Sequence, residues 1–251
     1  MDKKNPFSLS GKKILVTGAS SGIGKAIAVE CAVMGGEVVV SGRNVERLQE
    51  TMSLLDGTGH VIMPADLTSE EDLKKLVSEC PTVDGLVLCA GKSEMTPLLF
   101  CSRKKFDSLF NVNFFPQIEL LRLLVKNKKI AEWGSVVIIA SIGGTPGGKI
   151  TTANAVYGAT KAALVSIMKY AAKEFAPKKI RVNSINPGMI ATNMLCSGMV
   201  TDEQHQRDME NYPLKRYGRP EDVATGAVYL LSDAASWVTG HSLVIDGGIT
   251  I

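Results

Sequence analysis

The chain has 251 residues, of which 45% are hydrophobic and 21% charged, and its formal net charge is +3. This length fits one large α/β domain over residues 1–251, and the composition is typical of a globular protein rather than a disordered or fibrous one. The small net charge, without a basic stripe interleaved with aromatic residues, argues against nucleic-acid binding. Residues 1–7 are polar and no later apolar run is long enough to span a bilayer, so we expect a cytoplasmic protein.

Cysteine and histidine residues show no metal-binding pattern. The five cysteines are Cys31, Cys80, Cys89, Cys101 and Cys196. Their odd number and wide spacing, with no C-x-x-C pair, predict free thiols. The three histidines are His60, His205 and His241. They lack the spacing of metal ligands, so we expect core or surface positions and no bound metal.

The first predicted elements are a strand over residues 13–16, a glycine-rich turn over residues 17–24 and a helix that ends before Gly35 and Gly36. A second strand follows at residues 37–41. In such a βαβ unit the glycines let the backbone approach a pyrophosphate, whose charge lies against the positive end of the helix. The opening therefore predicts dinucleotide binding, in preference to a turn without a ligand.

Alternation of strands and helices continues to the end of the chain. Helices are predicted over residues 45–55, 70–80, 104–127, 156–175 and 221–231, and strands over residues 61–63, 86–88, 136–139, 180–185 and 243–245. Seven strands alternating with helices predict a Rossmann-type doubly wound parallel sheet with helices on both faces. Ligands bind such sheets at the carboxyl ends of the strands.

A tyrosine and a lysine lie four residues apart in the predicted helix over residues 156–175, at Tyr157 and Lys161. On a helix these positions are neighbours. A lysine next to a phenol favours the phenolate and lowers its pKa, which suits proton transfer to or from an oxygen. Taken alone, the pair favours an exposed surface contact over a catalytic role.

Several motifs, taken in order, resemble the short-chain dehydrogenase/reductase family, in its branch of compact subunits. They are the TGxxxGxG turn at Thr17 to Gly24, Asp66 after the third strand, Ala90-Gly91 after the fourth, Pro187-Gly188 with Thr192, and Asp246-Gly247-Gly248. Tyr157 and Lys161 match the family's YxxxK pair. The resemblance covers nearly the whole chain.

This resemblance implies a catalytic tetrad of Asn113, Ser141, Tyr157 and Lys161. Ser141 would hold a substrate oxygen beside the Tyr157 hydroxyl, Lys161 would also reach the nicotinamide ribose, and Asn113 would order a water linked to Lys161. Cofactor contacts are implied at Gly18, Ser20, Ser21, Gly22, Ile23, Gly24, Arg43, Asp66, Leu67, Ala90, Gly91, Tyr157, Lys161, Pro187, Gly188, Ile190 and Thr192. Without the resemblance, Ser141 and Asn113 are ordinary turn and helix residues.

The end of the second strand bears on the choice of cofactor. An acid there would bind the ribose 2′-hydroxyl of NAD and repel the 2′-phosphate of NADP. Gly42 stands at that position, and Arg43 next to it offers a planar fork suited to a phosphate. Ser20 and Ser41 could supply further donors. We therefore predict NADP, and reduction with NADPH as the direction, although Arg43 is also compatible with a solvated surface role.

Three features depart from the family pattern. Cys89 stands where relatives have asparagine, which removes a side-chain amide between central strands, so we expect lower stability. The stretch between Ser141 and Tyr157 is longer than usual by about one helical turn and glycine-rich at residues 143–148, where it could reshape the pocket or be a tolerated surface insertion. Pro116 is expected to bend the helix predicted over residues 104–127.

The substrate is a carbonyl compound whose identity the sequence leaves open. The resemblance is strongest to the 3-oxoacyl-thioester reductases, notably over residues 212–224, a string also shared with reductases of sugars and small ketones. A carrier-protein substrate would require basic residues at the entrance. Lys178 matches one such position, whereas Glu132 occupies the other. Lys126, Lys128 and Lys129 could compensate, or could complement the dipole of their own helix.

Residues 189–217, with Met194, Leu195, Met199, Met209 and Tyr212, are predicted to close over the substrate, although a helical hairpin or a subunit contact would use similar residues. The resemblance implies a homotetramer joined through the helices over residues 104–127 and 156–175 and the last strand.

Two other classes of protein would share this type of fold. A sugar-nucleotide epimerase would need a larger carboxyl-terminal domain, and a non-catalytic NADP sensor would tolerate loss of the catalytic residues, all of which are present.

Overall fold

Seven parallel strands form the central sheet in the computed structural model, which describes residues 5–145, 147–192 and 201–251. They are β1 (Lys13–Thr17), β2 (Glu37–Gly42), β3 (Val61–Pro64), β4 (Val83–Leu88), β5 (Ile130–Ile139), β6 (Arg181–Pro187) and β7 (Ser242–Ile245). Their order across the sheet is β3-β2-β1-β4-β5-β6-β7. The predicted doubly wound fold is confirmed.

Helices connect the strands. They are α1 (Gly22–Val33), α2 (Val45–Met52), α3 (Glu70–Glu79), α4 (Arg103–Asn113), α5 (Phe115–Lys126), α6 (Ala155–Phe175), α7 (Asp202–Glu210) and α8 (Pro220–Leu231). Short 3₁₀ turns lie at Leu98–Phe100, Ile142–Gly144, Ala176–Lys178 and Asp233–Ala235. Among the described residues, no helix is both long and apolar enough to cross a membrane.

Both faces of the sheet are buried, which explains why the strands are nearly continuous apolar runs. On one face, residues of β1 and β2 such as Val16 and Val38 pack with Ile27 of α1 and Val223 of α8. On the other face, Leu86 and Leu88 of β4 pack with residues of α5 and α6. The alternation of side chains along each strand therefore supplies two separate cores.

The order of the strands reverses between β1 and β4, which are hydrogen-bonded neighbours. In an open α/β sheet such a switch point opens a crevice at the carboxyl ends of the strands. The glycine-rich turn after β1 and the Ala90-Gly91 segment after β4 therefore lie at the same edge, and the loop that contains Ser141 follows β5 there.

One predicted helix, over residues 104–127, is two helices in the structure. Phe114, with φ −118° and ψ −69°, separates α4 from α5, and Pro116 lies in the first turn of α5. Proline has no N–H to donate to the carbonyl four residues earlier, so the helix cannot continue through this point. The expected bend at Pro116 is thus a break, and it places Asn113 at the carboxyl end of α4.

Two further elements differ from the sequence predictions. Strand β5 starts at Ile130, whereas only residues 136–139 were predicted. The prediction missed the first half of the strand because this half is partly exposed and includes Trp133, with a positive φ of 67°. Helix α7 lies in the segment 189–217, for which a lid, a helical hairpin or a subunit contact was predicted without helix boundaries. Met194, Leu195 and Met199 of that segment, and Cys196, are outside the described residues.

Candidate active site

The backbone of the glycine-rich turn between β1 and α1 lies so close to neighbouring backbone that side chains do not fit there. Gly18 has a φ of 67°, and a methyl group placed on it would lie 2.9 Å from the Ala90 Cα atom. A methyl group on Gly24 would lie 2.3 Å from the Gly18 carbonyl oxygen. The turn thus packs against the segment after β4, and only glycine fits where backbones approach this closely.

Helix α1 begins at this turn with a free amino-terminal end. Ser21 is its N-cap and makes no side-chain capping hydrogen bond, and the first turn contains no acidic residue. Exposed N–H groups and the helix dipole favour an anion at such an end. A methyl group on Gly22 would lie 3.3 Å from Thr192 Cγ2, so the segment after β6 lies beside the same turn. This arrangement fits a pyrophosphate.

At the end of β2, position 42 is a glycine rather than an acid, and hydrogen-bond donors lie around it. A methyl group on Gly42 would lie 3.5 Å from Ser20 Oγ. The Ser41 hydroxyl is buried and has no hydrogen-bond partner among the described residues. The Arg43 side chain is 73% exposed and lies 3.9 Å from Asp66 Oδ2, too far for a strong ion pair. These groups could hold a ribose phosphate.

Asp66 and Leu67 follow β3 at the same edge of the sheet. Asp66 Oδ1 accepts hydrogen bonds from the backbone N–H and the hydroxyl of Thr68, at 2.9 and 2.8 Å. Partial burial raises the pKa of Asp66, but these hydrogen bonds and the Arg43 charge outweigh it and hold the pKa below its usual value. Asp66 therefore carries a negative charge here, and the Leu67 side chain packs partly against the core.

The hydroxyl of Thr17 ties β1 to β4. It donates to the Val87 carbonyl at 3.1 Å and accepts from the Cys89 N–H at 3.0 Å. This bridge joins the same central strands that the asparagine of relatives would join from position 89. Whether Cys89 lowers stability stays a prediction. Cys31, Cys80, Cys89 and Cys101 are free thiols, as predicted, and Cys196 is not described.

Ser141 is fixed against the catalytic helix by a tight turn after β5. Its hydroxyl accepts a hydrogen bond from the Gly143 N–H at 3.2 Å. A methyl group on Gly144 would lie 2.5 Å from the Ala162 nitrogen, so this turn packs directly on the backbone of α6. This packing brings the Ser141 hydroxyl close enough to the Tyr157 phenol to lower its pKa. The structure brings these two predicted residues together.

Lys161 is the buried partner of Tyr157 on α6. Its Nζ atom lies 5.6 Å from the centre of the Tyr157 ring and donates a hydrogen bond of 2.8 Å to the Ile139 carbonyl. Burial lowers the pKa of Lys161 to about 8. Burial also raises the pKa of Tyr157 to about 12, against the lowering effect of the Ser141 hydroxyl.

These pKa directions correct one sequence prediction. Lys161 was expected to lower the pKa of Tyr157, yet in the structure burial dominates and the phenol keeps its proton at neutral pH. The physical reason is that the Lys161 ammonium is itself desolvated and points to the carbonyl of Ile139 rather than to the phenol. A protonated Tyr157 is a proton donor.

Asn113 is buried beside this pair. Its Oδ1 accepts from the Lys92 N–H at 2.8 Å, and its Nδ2 donates to the Lys92 carbonyl at 2.9 Å and to Thr160 Oγ1 at 3.2 Å. A methyl group on Gly91 would lie 3.2 Å from Asn113 Oδ1 and 3.7 Å from Lys161 Nζ. The four predicted catalytic residues therefore converge, although the water-ordering role of Asn113 stays a prediction.

The segment after β6 also lies at the carboxyl ends of the strands, next to the residues that follow β7. The Gly188 N–H donates to the Ile245 carbonyl at 2.9 Å, and a methyl group on Gly188 would lie 2.9 Å from the Asp246 Cα atom. Ile190 is buried and pairs with Gly218 in an isolated parallel bridge. The two carboxyl-terminal motifs found in the sequence are thus one packed unit, and it places Thr192 against the glycine-rich turn.

The long loop after Ser141 contacts helix α7. Lys149 Nζ lies 2.7 Å from Asp208 Oδ1, and it lies 5.2 Å from the centre of the Tyr212 ring. The Tyr217 hydroxyl donates to Asp208 Oδ2 at 3.0 Å. The side chains of Lys149 and Asp208 are only 27% and 30% exposed. Lys149 therefore joins this loop to α7, a contact that the spacing of the sequence alone did not indicate.

Comparison with known proteins agrees with this architecture. The family model described as enoyl-(acyl carrier protein) reductase matches residues 18–250. A 3-oxoacyl-(acyl-carrier-protein) reductase of Rickettsia felis is 34% identical over 97% of this chain and 98% of its own length. A glucose 1-dehydrogenase of Gluconobacter oxydans is 31% identical, covering 96% of this chain and 93% of that protein.

Solved structures show the same similarity. A dehydrogenase/reductase of Sinorhizobium meliloti superposes with a TM-score of 0.89 at 30% identity, covering 98% of each chain. A protein of Agrobacterium tumefaciens with bound NADP has a TM-score of 0.84 at 33% identity and covers 98% of this chain and 99% of its own. The chain therefore belongs to the short-chain dehydrogenase/reductase family of oxidoreductases.

Proposed function

We propose that the protein is an NADPH-dependent reductase that converts a carbonyl group to a secondary alcohol, with Tyr157 as general acid. The observation that carries this proposal is the position of the Lys161 ammonium, 5.6 Å from the centre of the Tyr157 ring, with the Ser141 hydroxyl beside the phenol. This group lies at the carboxyl edge of a dinucleotide-binding sheet, beside a turn suited to a pyrophosphate.

The residues of the cofactor turn fit a nicotinamide dinucleotide. The uncapped end of α1 could receive the pyrophosphate, and the segments at Ala90-Gly91 and Pro187 to Thr192 flank the nicotinamide position. When bound, NADPH supplies a hydride to the carbonyl carbon. The protein supplies the positions of the reacting atoms and the proton.

In the proton step, the Tyr157 O–H bond breaks and its proton moves to the substrate oxygen, which has gained the electron pair of the former carbonyl bond. Ser141 would donate a hydrogen bond to the same oxygen and orient it. The phenolate left on Tyr157 would be stabilised by the nearby Lys161 ammonium. Because burial keeps Tyr157 protonated at neutral pH, the site suits reduction.

NADPH is proposed over NADH because of the groups near Gly42. An exposed Arg43, the Ser20 hydroxyl and the unpaired Ser41 hydroxyl could bind a 2′-phosphate. Asp66 is the nearby acid; it is charged, and Arg43 lies 3.9 Å from its Oδ2 atom. The Agrobacterium tumefaciens relative with bound NADP supports the same choice.

For the substrate we propose first a 3-oxoacyl thioester, since the Rickettsia felis relative is a reductase of that class. The basic residues on the surface give weaker support for a substrate attached to a carrier protein. Lys129 donates to the Ser78 and Cys80 carbonyls, and Lys179 pairs with Glu132 at the other expected docking position. These contacts leave Lys126, Lys128 and Lys178 as candidate docking residues.

A second candidate substrate is a keto-sugar or small ketone. The Gluconobacter oxydans relative is a sugar dehydrogenase of nearly the same length. The acidic Glu132 at the expected docking position also favours a free small molecule over an acidic carrier protein. Both candidates use the same Tyr157 chemistry.

The test is NADPH oxidation by the purified protein with 3-oxoacyl thioesters, diketones and keto-sugars, with NADH as a parallel cofactor. Turnover of one class identifies the substrate. If NADPH binds and no carbonyl compound is reduced, the reductase proposal fails and a non-catalytic NADP-sensing role replaces it. If NADH supports faster turnover than NADPH, the cofactor proposal fails.

A homotetramer is also part of the proposal. Phe115 on α5 and Tyr170 on α6 are 55% and 67% exposed, and both lie on the helices expected to form subunit contacts. Contiguous exposed apolar surface marks association sites, and we propose that these two side chains belong to such a surface. Light scattering during size-exclusion chromatography should give four times the mass of one chain, 26.8 kDa.

A further inference from the structure

Gln117 on α5 is a fully buried amide one helical turn after Asn113. Its Nε2 atom donates to the Ala90 carbonyl and to the Asn113 carbonyl, each at 2.6 Å. Two carbonyl acceptors require both amide hydrogens, so the orientation of the amide is fixed. Its Oε1 atom is then left buried without a hydrogen-bond partner among the described residues.

The break between α4 and α5 explains why a side chain caps this carbonyl. Helix α4 ends at Asn113 and α5 begins at Phe115. Carbonyls at the end of a helix have no partner within it and require one elsewhere. Gln117 supplies that partner for Asn113, and its second hydrogen reaches the strand end beyond β4.

Gln117 and Asn113 together hold the backbone of residues 90–92. The Asn113 side chain bonds both the N–H and the carbonyl of Lys92, and the Gln117 side chain bonds the Ala90 carbonyl. Gly91 lies between these residues, and a methyl group on it would make a tight contact of 3.2 Å with Asn113 Oδ1 and an ordinary contact of 3.7 Å with Lys161 Nζ. This segment therefore lies directly beside both Asn113 and Lys161.

We propose that Gln117 is a positioning residue, which fixes Asn113 and the Ala90-Gly91-Lys92 segment against Lys161 and so determines how efficiently Tyr157 transfers its proton. This inference rests on the proposed function, because it assigns Gln117 a part in the same reaction. A misplacement of about 1 Å at such a site can cost on the order of 100-fold in rate.

A purely structural role for Gln117 makes a different prediction. Loss of a buried side chain that only packs lowers the stability of the fold without changing the chemistry of the site. Leu120 offers the matched control, since it is also fully buried on α5 and belongs to the core rather than to the site. We therefore compare Gln117→Met, which keeps the length and removes both donors, with Leu120→Val.

The experiment measures kcat, KM, the pH dependence of kcat and the midpoint of thermal unfolding for wild type and both variants. Gln117→Met should lower kcat by about 10- to 100-fold and shift the pH midpoint of kcat, with a smaller change in KM. The titratable groups that face Lys161 are Tyr157 on its own helix and Cys89 at the end of β4. Leu120→Val should lower only the unfolding midpoint.

Equal kinetics for the two variants at equal stability would overturn the inference. The dissociation constant of NADPH, followed by its fluorescence, separates this failure from that of the proposed function. If wild type binds NADPH but reduces no carbonyl compound, the proposed function fails. In that case, weaker NADPH binding by Gln117→Met than by Leu120→Val still supports the inference that Gln117 positions the Ala90-Gly91 segment. Equal NADPH binding by the two variants overturns that inference.

Discussion

The ammonium of Lys161 lies 5.6 Å from the centre of the Tyr157 ring and is directed to a backbone carbonyl. Lys161 is buried and Tyr157 is partly buried, and loss of solvent moves their pKa values in opposite directions, to about 8 for Lys161 and about 12 for Tyr157. Between these values the neutral form of each group predominates. Burial of Lys161 therefore lowers the stability of the fold, whereas the raised pKa of Tyr157 keeps its hydroxyl protonated and able to donate a proton.

The cost of burying Lys161 gives the first prediction. Its pKa is about 8 in the folded chain and 10.5 in the absence of burial, so between these pH values the unfolded chain binds more protons. The free energy of unfolding therefore rises with pH through this window. Lys161→Met should gain on the order of 1 to 3 kcal/mol at pH 7, since the lost hydrogen bond to Ile139 offsets part of the gain.

Urea unfolding at several pH values measures this gain, and Lys169→Met serves as the control because Lys169 is exposed on the same helix. The control should leave stability unchanged. A Lys161→Met protein less stable than wild type at pH 7 would show that the buried ammonium stabilises the fold.

The pH dependence of reduction follows from the same two groups. As pH rises through about 8, Lys161 loses its charge while Tyr157 keeps its proton up to about 12. Loss of the ammonium removes the charge that stabilises the phenolate formed in the proton step. We expect kcat at saturating NADPH to fall on the alkaline side with a midpoint near 8. A kcat that increases steadily across this range would contradict the assignment.

Cofactor preference should depend on the end of β2. Arg43→Ala should weaken NADPH binding by about 10- to 100-fold and change NADH binding little, because a charge-assisted hydrogen bond to the phosphate is lost. Arg47→Ala, which removes another exposed arginine nearby, is the control. Gly42→Asp should favour NADH, since a Cβ atom fits there at 3.5 Å from Ser20 Oγ. Unchanged NADPH affinity in Arg43→Ala would exclude its role.

The ion pair between Lys149 and Asp208 should couple the long loop to helix α7. Hydrogen bonds from Lys149 and Tyr217 outweigh the effect of partial burial and lower the pKa of Asp208 below its usual value. A double-mutant cycle with Lys149→Met and Asp208→Asn should give a coupling free energy of about 1 kcal/mol in unfolding experiments. If the segment 189–217 is a lid, each single variant should also raise KM. If the two substitutions have additive effects on the free energy of unfolding and on KM, the contact between Lys149 and Asp208 contributes to neither.

The fold could be predicted from the sequence because the signals were local. The central strands contain short buried apolar runs, such as residues 38–40 of β2, and the helices between strands have helical spacing. The exceptions have physical causes. Pro116 breaks a helix whose apolar pattern continues past it, and the exposed first half of β5 lacks the apolar run that marks its buried half.

The identities of the site residues came from motifs, but their interactions required the structure. Spacing placed Tyr157 and Lys161 on one helix face, yet it could not show that Lys161 is desolvated and bonded to Ile139. The contacts of Gln117 with Ala90 and of Lys149 with Asp208 join distant parts of the chain. One signal was available for Gln117, a polar residue one turn after Asn113 on the same helical face as Leu120, Leu121 and Leu124.

The most direct test of the central claim is NADPH oxidation by wild type and Tyr157→Phe with the carbonyl compound that wild type reduces. The substitution removes only the hydroxyl that donates the proton and keeps the buried ring. We predict that Tyr157→Phe folds with near-native stability, binds NADPH like wild type and loses at least about 100-fold in kcat. A Tyr157→Phe protein that reduces the same substrate at the wild-type rate would contradict the account.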